Sequence, residues 1–358
     1  MNRLRMWRRG GEIIDWMKRE RIDAIINAGF NDLASLRVMT WASRRMPVLM
    51  LNDSNVHRDS AAGLKLAVKK AYIGWILSKL TALMPNGTNG VKYYQRYPGG
   101  AGKPTFFLPC DANYDAIASV TDEDIRRCRE KHGLREDRRY LVFCGRFDPV
   151  KRIDLLVDAF ASIAADRPDW DLILAGDGEL MSEITSRIPD DLRHRFVLTG
   201  FLDGAKEVTA VYRCAEALVL ASAFEAWAAV IPESMATGCA IVSSHVVGAT
   251  ADLIEEDVNG YTFRSGDGAD LAEKLLRITD DANIDRLRRG SADVLRRWRE
   301  RSDPVDGVRR ALEFSGLLAP ASGVKPTGDP YEDWKPDVQE GVNALAQRER
   351  RGVERGPA

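Results

Sequence analysis

Paired cysteines, metal-ligand clusters, long apolar runs and a surplus of charge of either sign are all missing from this chain of 358 residues. Each absence removes a class of function. The five cysteines, Cys110, Cys128, Cys144, Cys214 and Cys239, show no CxxC pair. Cys144, Cys214 and Cys239 lie in or beside apolar runs, which reads as reduced, buried thiols in a cytosolic protein. The four histidines, His57, His132, His194 and His245, stand at no metal-ligand spacing. With 52 basic and 53 acidic residues the net charge is -1, so there is no global bias toward nucleic acid. No apolar run approaches the ~20 residues that cross a bilayer, and the basic start MNRLRMWRRGG lacks the apolar core of a signal peptide. The expected location is the cytoplasm, with peripheral contact at the inner membrane face left open.

Two attractive motifs also fail. GGAGKPT, Gly99 to Thr105, suggests a phosphate loop, yet Pro104 occupies the place of the hydroxyl residue and Tyr97 that of the first glycine. No GxGxxG follows the first strand, which argues against a dinucleotide oxidoreductase. The acidic residues Asp122 and Asp124 fall in a highly charged helix and read as solvated surface.

What is present is an alternation of short apolar strands with helices, which implies parallel sheets. Helical sequence at Gly11 to Arg19 leads into the strand DAIINAG, Asp23 to Gly29, read as buried. Asn31 is expected to cap a helix over Asp32 to Arg45. A strand at Pro47 to Leu51, a long helix at Ala61 to Leu80, a strand at Thr81 to Met84, a helix around Asn89 to Arg96 and a strand at Pro104 to Leu108 follow. Thr121 to Asp137 reads as a solvated helix and linker. A more regular series then sets strands at Tyr140 to Cys144, Asp171 to Ala175, Phe196 to Leu198, Ala217 to Leu220 and Ala240 to Ser243. Helices from Asp267 and Asn283 close it, and Pro304 to Leu318 could add another. The expected division is 1–118 for a first lobe, 119–138 for the charged linker, 139–302 for a second lobe, 303–318 for a crossover helix and 319–358 for a disordered tail.

The chemistry concentrates in ALVLASAFEAWAAVIPESMATG, Ala217 to Gly238, read as strand, small-residue loop and helix. Pro232 stands in or near the first helical turn and Gly238 at the end. Ligands of an open α/β sheet sit beyond the carboxyl ends of its strands, which puts Glu225 at the rim of that crevice. Glu233 follows two turns later, with the unpaired N–H groups near Ala228 to Val230 between them as an anion site. GRFDPVKR, Gly145 to Arg152, follows the first strand of the second series and delivers Arg146 and Lys151 to the same side. Carboxylates accept hydrogen bonds from sugar hydroxyls, and fixed cations stabilise charge on a leaving phosphate.

The setting Glu225-x7-Glu233 in EAWAAVIPESMATG resembles the signature of the retaining GT-B glycosyltransferases of family 4, and the Arg146 and Lys151 spacing is similar to theirs. The resemblance spans about Tyr140 to Thr279. It implies an α/β chain of GT-B type, with two Rossmann-like lobes on parallel sheets and the first lobe incomplete. It also implies transfer of a sugar from a UDP-sugar or GDP-sugar to a glycan or lipid hydroxyl with retained configuration and no required metal. Arg146 and Lys151 would hold the diphosphate, Glu225 the sugar and Glu233 the ribose. Trp227, Ala228 and Ala229 would line the donor, Trp227 and Ala228 replacing the usual Phe-Gly pair. Phe201 and Leu202, in TGFL, would meet the base through their backbone. AGDGE, Ala175 to Glu179, resembles the family's cleft turn, while HVVGATADLI and VNGYTF resemble family loops.

Before Tyr140 the resemblance weakens. DAIINAG resembles about the fourth strand of a complete first lobe, with Asn27 and Gly29 where many members have histidines. LNDSNVH, Leu51 to His57, offers Asp53 or His57 to the cleft. Either the start codon is placed late or the chain is a shortened relative. The rival function is therefore an impaired nucleotide-sugar-binding protein or a partner subunit. The helix Leu64 to Leu80 carries Lys65, Lys69, Lys70 and Lys79 beside an apolar surface with Trp75, a pattern that suits an anionic lipid surface.

Overall fold

The computed structural model describes residues 3–58, 62–323 and 325–331. The first lobe runs α1 (Arg3–Arg19), β1 (Ile25–Ala28), α2 (Leu33–Ala42), β2 (Val48–Asn52), α3 (Gly63–Leu77), β3 (Ala82–Pro85) and α4 (Thr88–Gln95). Two helices, α5 (Tyr114–Ala118) and α6 (Asp122–His132), lead out of it. The second lobe opens with β4 (Arg139–Cys144), α7 (Ile153–Ile163), β5 (Trp170–Ala175), α8 (Met181–Arg187), β6 (Phe196–Gly200) and α9 (Gly204–Cys214). It continues with β7 (Ala217–Leu220), α10 (Val230–Met235), β8 (Ala240–Ser244), α11 (Thr250–Leu253), β9 (Gly260–Phe263), α12 (Gly268–Ile278) and α13 (Asp281–Ser302), after which comes α14 (Pro304–Phe314).

Among the described residues every pairing between these strands is parallel, in the order β1-β2-β3 in one sheet and β6-β5-β4-β7-β8-β9 in the other. The chain of the second lobe winds outward from β4 in one direction, then returns to lay β7 on its other side. Loops leaving β4 and β7 must therefore part to opposite faces, and a crevice opens between them. Its strands are apolar on both faces because helices cover both: Leu141, Val142, Leu172, Leu218 and Ile241 are all fully buried.

Several expected elements shift. Asp32, not Asn31, caps α2, accepting from the N–H groups of Ala34 and Ser35 at 2.8 and 3.0 Å. A carboxylate placed one residue before the first turn reaches both orphan donors. DAIINAG is an edge strand rather than a buried one, with Ile26 exposed, and Asn27 turns its amide onto the Gly29 carbonyl. Pro104 to Leu108 runs parallel to β3 and exchanges backbone bonds with Leu83 and Pro85, but Pro104 has no N–H to give and no regular strand forms. VNGYTF, read as a loop, supplies β9 at the sheet edge. Helix α10 starts at Val230, so Pro232 is its third residue.

Helix α14 is capped by Asp303, with Pro304 in its first turn. Its Ala311 and Phe314 pack with Leu49, Met84 and Phe106 of the first lobe. Part of the tail expected to be disordered is also held: the Thr105 N–H donates to the Gly328 carbonyl at 2.7 Å, and Tyr331 meets Phe107 edge-on. Residues 332–358 lie outside the described residues.

Candidate functional site

Lys151 and Glu225, 74 residues apart, meet as an ion pair, and the Ser222 hydroxyl donates to the same Glu225 oxygen at 2.8 Å. Each partner owes its place to one strand end. After β4 the chain makes a short 3₁₀ turn, Pro149–Lys151, capped by Asp148. The Ala223 N–H donates to the Val150 carbonyl at 2.7 Å and ties that turn to the loop after β7. The two βα junctions flanking the switch point are thus bonded through backbone as well as side chain. AGDGE packs beneath: a Cβ on Gly176 would stand 1.9 Å from the Gly145 carbonyl oxygen, so the close approach demands glycine there.

Arg146 leaves the same junction but is not drawn into the pair. Its side chain is 78% exposed and only loosely faces Asp148, at 3.8 Å. Glu233 lies in the first turn of α10, half-buried. Burial pushes its carboxyl above the ordinary value, and the neighbouring Tyr212 hydroxyl opposes that shift. Cys144, at the end of β4, has its thiol pushed up by the same burial. Among the described residues no side chain caps the start of α10.

The remaining expected donor residues divide sharply. Trp227 turns its indole away into the seam between the lobes, where it packs on Trp298 with ring centroids 5.4 Å apart, leaving only backbone for a ligand. Ala228 adopts φ 85°, the left-handed region, directly before Ala229 at the helix cap. Phe201 is exposed, whereas Leu202 is buried in the core of the second lobe.

The first lobe reaches the same place through residues that the sequence reading passed over. Asn55, fully buried, donates to the carbonyls of Glu225 and Val246 at 2.8 and 3.0 Å. Asn89 donates to the Gly248 carbonyl at 3.3 Å, and Thr88 gives both its N–H and its hydroxyl to Asp252, at 2.8 and 2.6 Å. His57 meets His245 edge-on with centroids 5.5 Å apart, and Arg58 covers the Phe224 ring. His57 thus sits at the seam, as one of the two offered residues; Asp53 is exposed on the loop before it. The available signal was positional: Asn55 and Thr88 both follow strand carboxyl ends, the same criterion that singled out Glu225.

A family model described as "Glycosyl transferases group 1" matches residues 138–281. Among curated proteins, N-acetyl-alpha-D-glucosaminyl L-malate synthase of Bacillus anthracis is 26% identical over 164 residues, covering 46% of this chain and 42% of that protein. A Campylobacter jejuni N-acetylgalactosaminyltransferase acting on a diphospho-undecaprenol-linked saccharide is 25% identical over 250 residues, covering 69% and 63%. The chain thus spans less than two thirds of either relative's length. Anabaena Alr3699/HepE, solved in complex with UDP and glucose, superposes with a TM-score of 0.66 at 19% identity, over 86% of this chain and 81% of that one. The fold is therefore that of the GT-B glycosyltransferases, two Rossmann-like lobes facing one cleft. The stretch matched by that family model lies within the second lobe.

Proposed function

We propose that the protein is a retaining glycosyltransferase of family 4 type that takes a sugar from a nucleoside diphosphate and passes it to an acceptor hydroxyl. The observation that carries this reading is the convergence of Lys151, Glu225 and Ser222 at the switch point of the second sheet, with the half-buried Glu233 in the first turn of the helix that follows β7. Lys151, released from Glu225 when donor enters, faces the diphosphate together with Arg146, which is exposed and free to swing in. Glu225 then accepts from the sugar hydroxyls and Glu233 from the ribose diol. The backbone of Trp227, Ala228 and Ala229 lies against the donor, and that of Phe201 and Leu202 against the base, UDP or GDP. In the reaction the bond from the sugar anomeric carbon to the diphosphate oxygen breaks as the bond to the acceptor oxygen forms on the same face. The acceptor proton passes to the departing phosphate oxygen, so no enzymic nucleophile or metal is invoked. Cations fixed before the reaction stabilise the charge on that phosphate without reorganising.

Calorimetric titration with UDP and GDP tests the site. Glu233→Ala and Lys151→Ala should each weaken binding by about 10- to 100-fold, the loss of charge-assisted hydrogen bonds worth about 1.5–3 kcal/mol. Equal affinity in parent and variants would remove the assignment. Because only ionised Glu233 accepts from both ribose hydroxyls, and burial raises its pKa, parent affinity should fall on acidification at a higher pH than an ordinary carboxylate would give. Glu233→Gln should flatten that part of the profile.

The acceptor is a glycan or a lipid, and we propose that α3 brings the protein to an anionic membrane face. Ile73, Ile76 and Leu77 bury one side of the helix, while Leu64, Val68, Tyr72 and Trp75 form an exposed stripe on another. Lys65, Lys69, Lys70 and Lys79 flank that stripe. No helix among the described residues is long and apolar enough to cross a membrane, so this contact is peripheral. Co-sedimentation with phosphatidylglycerol vesicles should be lost in a Leu64→Ser, Val68→Ser variant; undiminished binding would discard the idea.

A further inference from the structure

Beside the seam, the 3₁₀ turn Val56–Arg58 and helix α4 enclose a hollow of about 360 Å³ lined by Val56, His57, Asn89, Lys92, Gln95 and Arg96. We propose that this hollow receives the phosphate of a phosphorylated acceptor, an inference that rests on the transferase reading above. Among the described residues its lining carries two full cations, an imidazole and two amides, and no carboxylate. Elsewhere the protein neutralises such cations: Arg138, Arg139, Arg152 and Arg187 each lie on an Asp or Glu. Lys92 and Arg96 form no ion pair among the described residues, Arg96 giving one N–H to the Val56 carbonyl at 3.2 Å. Asp252, an acid whose field reaches Lys92, is sealed from solvent and already engaged by Thr88 and Arg301. Positive charge held together without a partner selects an anion. A lysine point charge beside the planar fork of an arginine suits the several oxygens of a phosphate.

The position fits an acceptor. Asn89, in the wall, bonds the Gly248 carbonyl, and Gly248 in turn donates its N–H to the Glu225 carbonyl at 3.1 Å. His57 touches His245 across the seam. A molecule anchored here by its phosphate extends its hydroxyl toward Glu225 and the donor sugar. The phosphate takes no part in bond making; it fixes which hydroxyl attacks.

The test fills the donor site with saturating UDP, then titrates the complex with glycerol 1-phosphate and, as a neutral control, glycerol. The parent should bind the phosphate ester and not glycerol. Lys92→Ala should weaken that binding at least about tenfold, the worth of one charge-assisted contact, while Lys92→Arg retains it and UDP affinity is unchanged in both. Equal affinity in parent and Lys92→Ala, or no phosphate-ester binding by a parent that binds UDP, overturns the proposal. Failure of the parent to bind UDP instead sinks the transferase reading, and is seen separately. A second arm uses vesicles of phosphatidylcholine with and without phosphatidic acid in the Leu64→Ser, Val68→Ser background, which removes the helix contact. Phosphatidic-acid binding that disappears with Lys92→Ala identifies a lipid-borne phosphate; phosphate-ester binding without it identifies a soluble acceptor. Loss of neither by Lys92→Ala overturns the proposal.

Discussion

Ala228 holds φ 85° between an indole fixed in the seam and the cap of α10. A left-handed backbone costs an L-residue about 1–2 kcal/mol, and only well-packed neighbours can impose it. Ala228→Gly should therefore raise stability by about 0.5–1 kcal/mol, the strain relieved less the extra freedom glycine has when unfolded. A higher urea midpoint would show it, and an unchanged or lower midpoint would mean that the methyl group earns its place by contact. The resemblance to a Phe-Gly pair marked this position, but as part of the donor lining rather than as a backbone under strain. Lys151 and Glu225 were legible as residues of one crevice. That they would bond to each other was not, since charge and position along the chain do not fix where a flexible side chain ends. Arg146 makes the same point from the other side, being delivered to the crevice yet 78% exposed.

Helix α14 shows how much an element reveals before its partner is known. Asp303 and Pro304 announce its start, and the Asp303 carboxylate accepts from the N–H groups of Val305 and Asp306, both at 2.9 Å. What the pattern does not reveal is how close it comes to the first lobe: a Cβ on Gly307 would stand 2.0 Å from the Phe107 carbonyl oxygen. Gly307→Ala should cost about 1–3 kcal/mol, as overpacking does, measured as a lower thermal midpoint. A neutral result would mean that the helix shifts freely on that lobe. The same limit explains β9, four residues carrying a glycine and beginning beside turn-forming Asn259. So short a run has no period to read, and the neighbouring strand β8 decides its conformation. Asp124, read from the sequence only as solvated surface, instead closes a capping box with Thr121 at the start of α6.

The lobes close on one another through a seam that mixes rings with a buried charge pair. Trp227, Trp298, Phe107 and Tyr331 meet ring to ring in sequence, the first three tilted and the last edge-on. Beside them Asp252, with no exposed side chain, faces Arg301 at 3.4 Å and takes two hydrogen bonds from Thr88. Burial raises the Asp252 pKa and lowers that of Arg301, so each charge is held against the cost of desolvation by the other. Arg301→Met should cost about 3 kcal/mol by stranding the carboxylate, and adding Asp252→Asn should recover part of that loss. Chemical denaturation of both variants measures it. A double variant no more stable than the single would show that packing of the arginine stem, not charge, holds the seam.

The sequence by itself determined the alternation of strand and helix, hence two parallel sheets, and marked which strand ends carry acid and base. Periodicity, turn residues and caps act over a few neighbours and are written locally. Only the tertiary structure decided that Lys151 reaches Glu225, that Trp227 faces the seam, and that Asn55 and Thr88 join the second lobe from the first. Those outcomes depend on β7 lying beside β4 and on one lobe closing over the other, contacts between distant residues that no local pattern encodes.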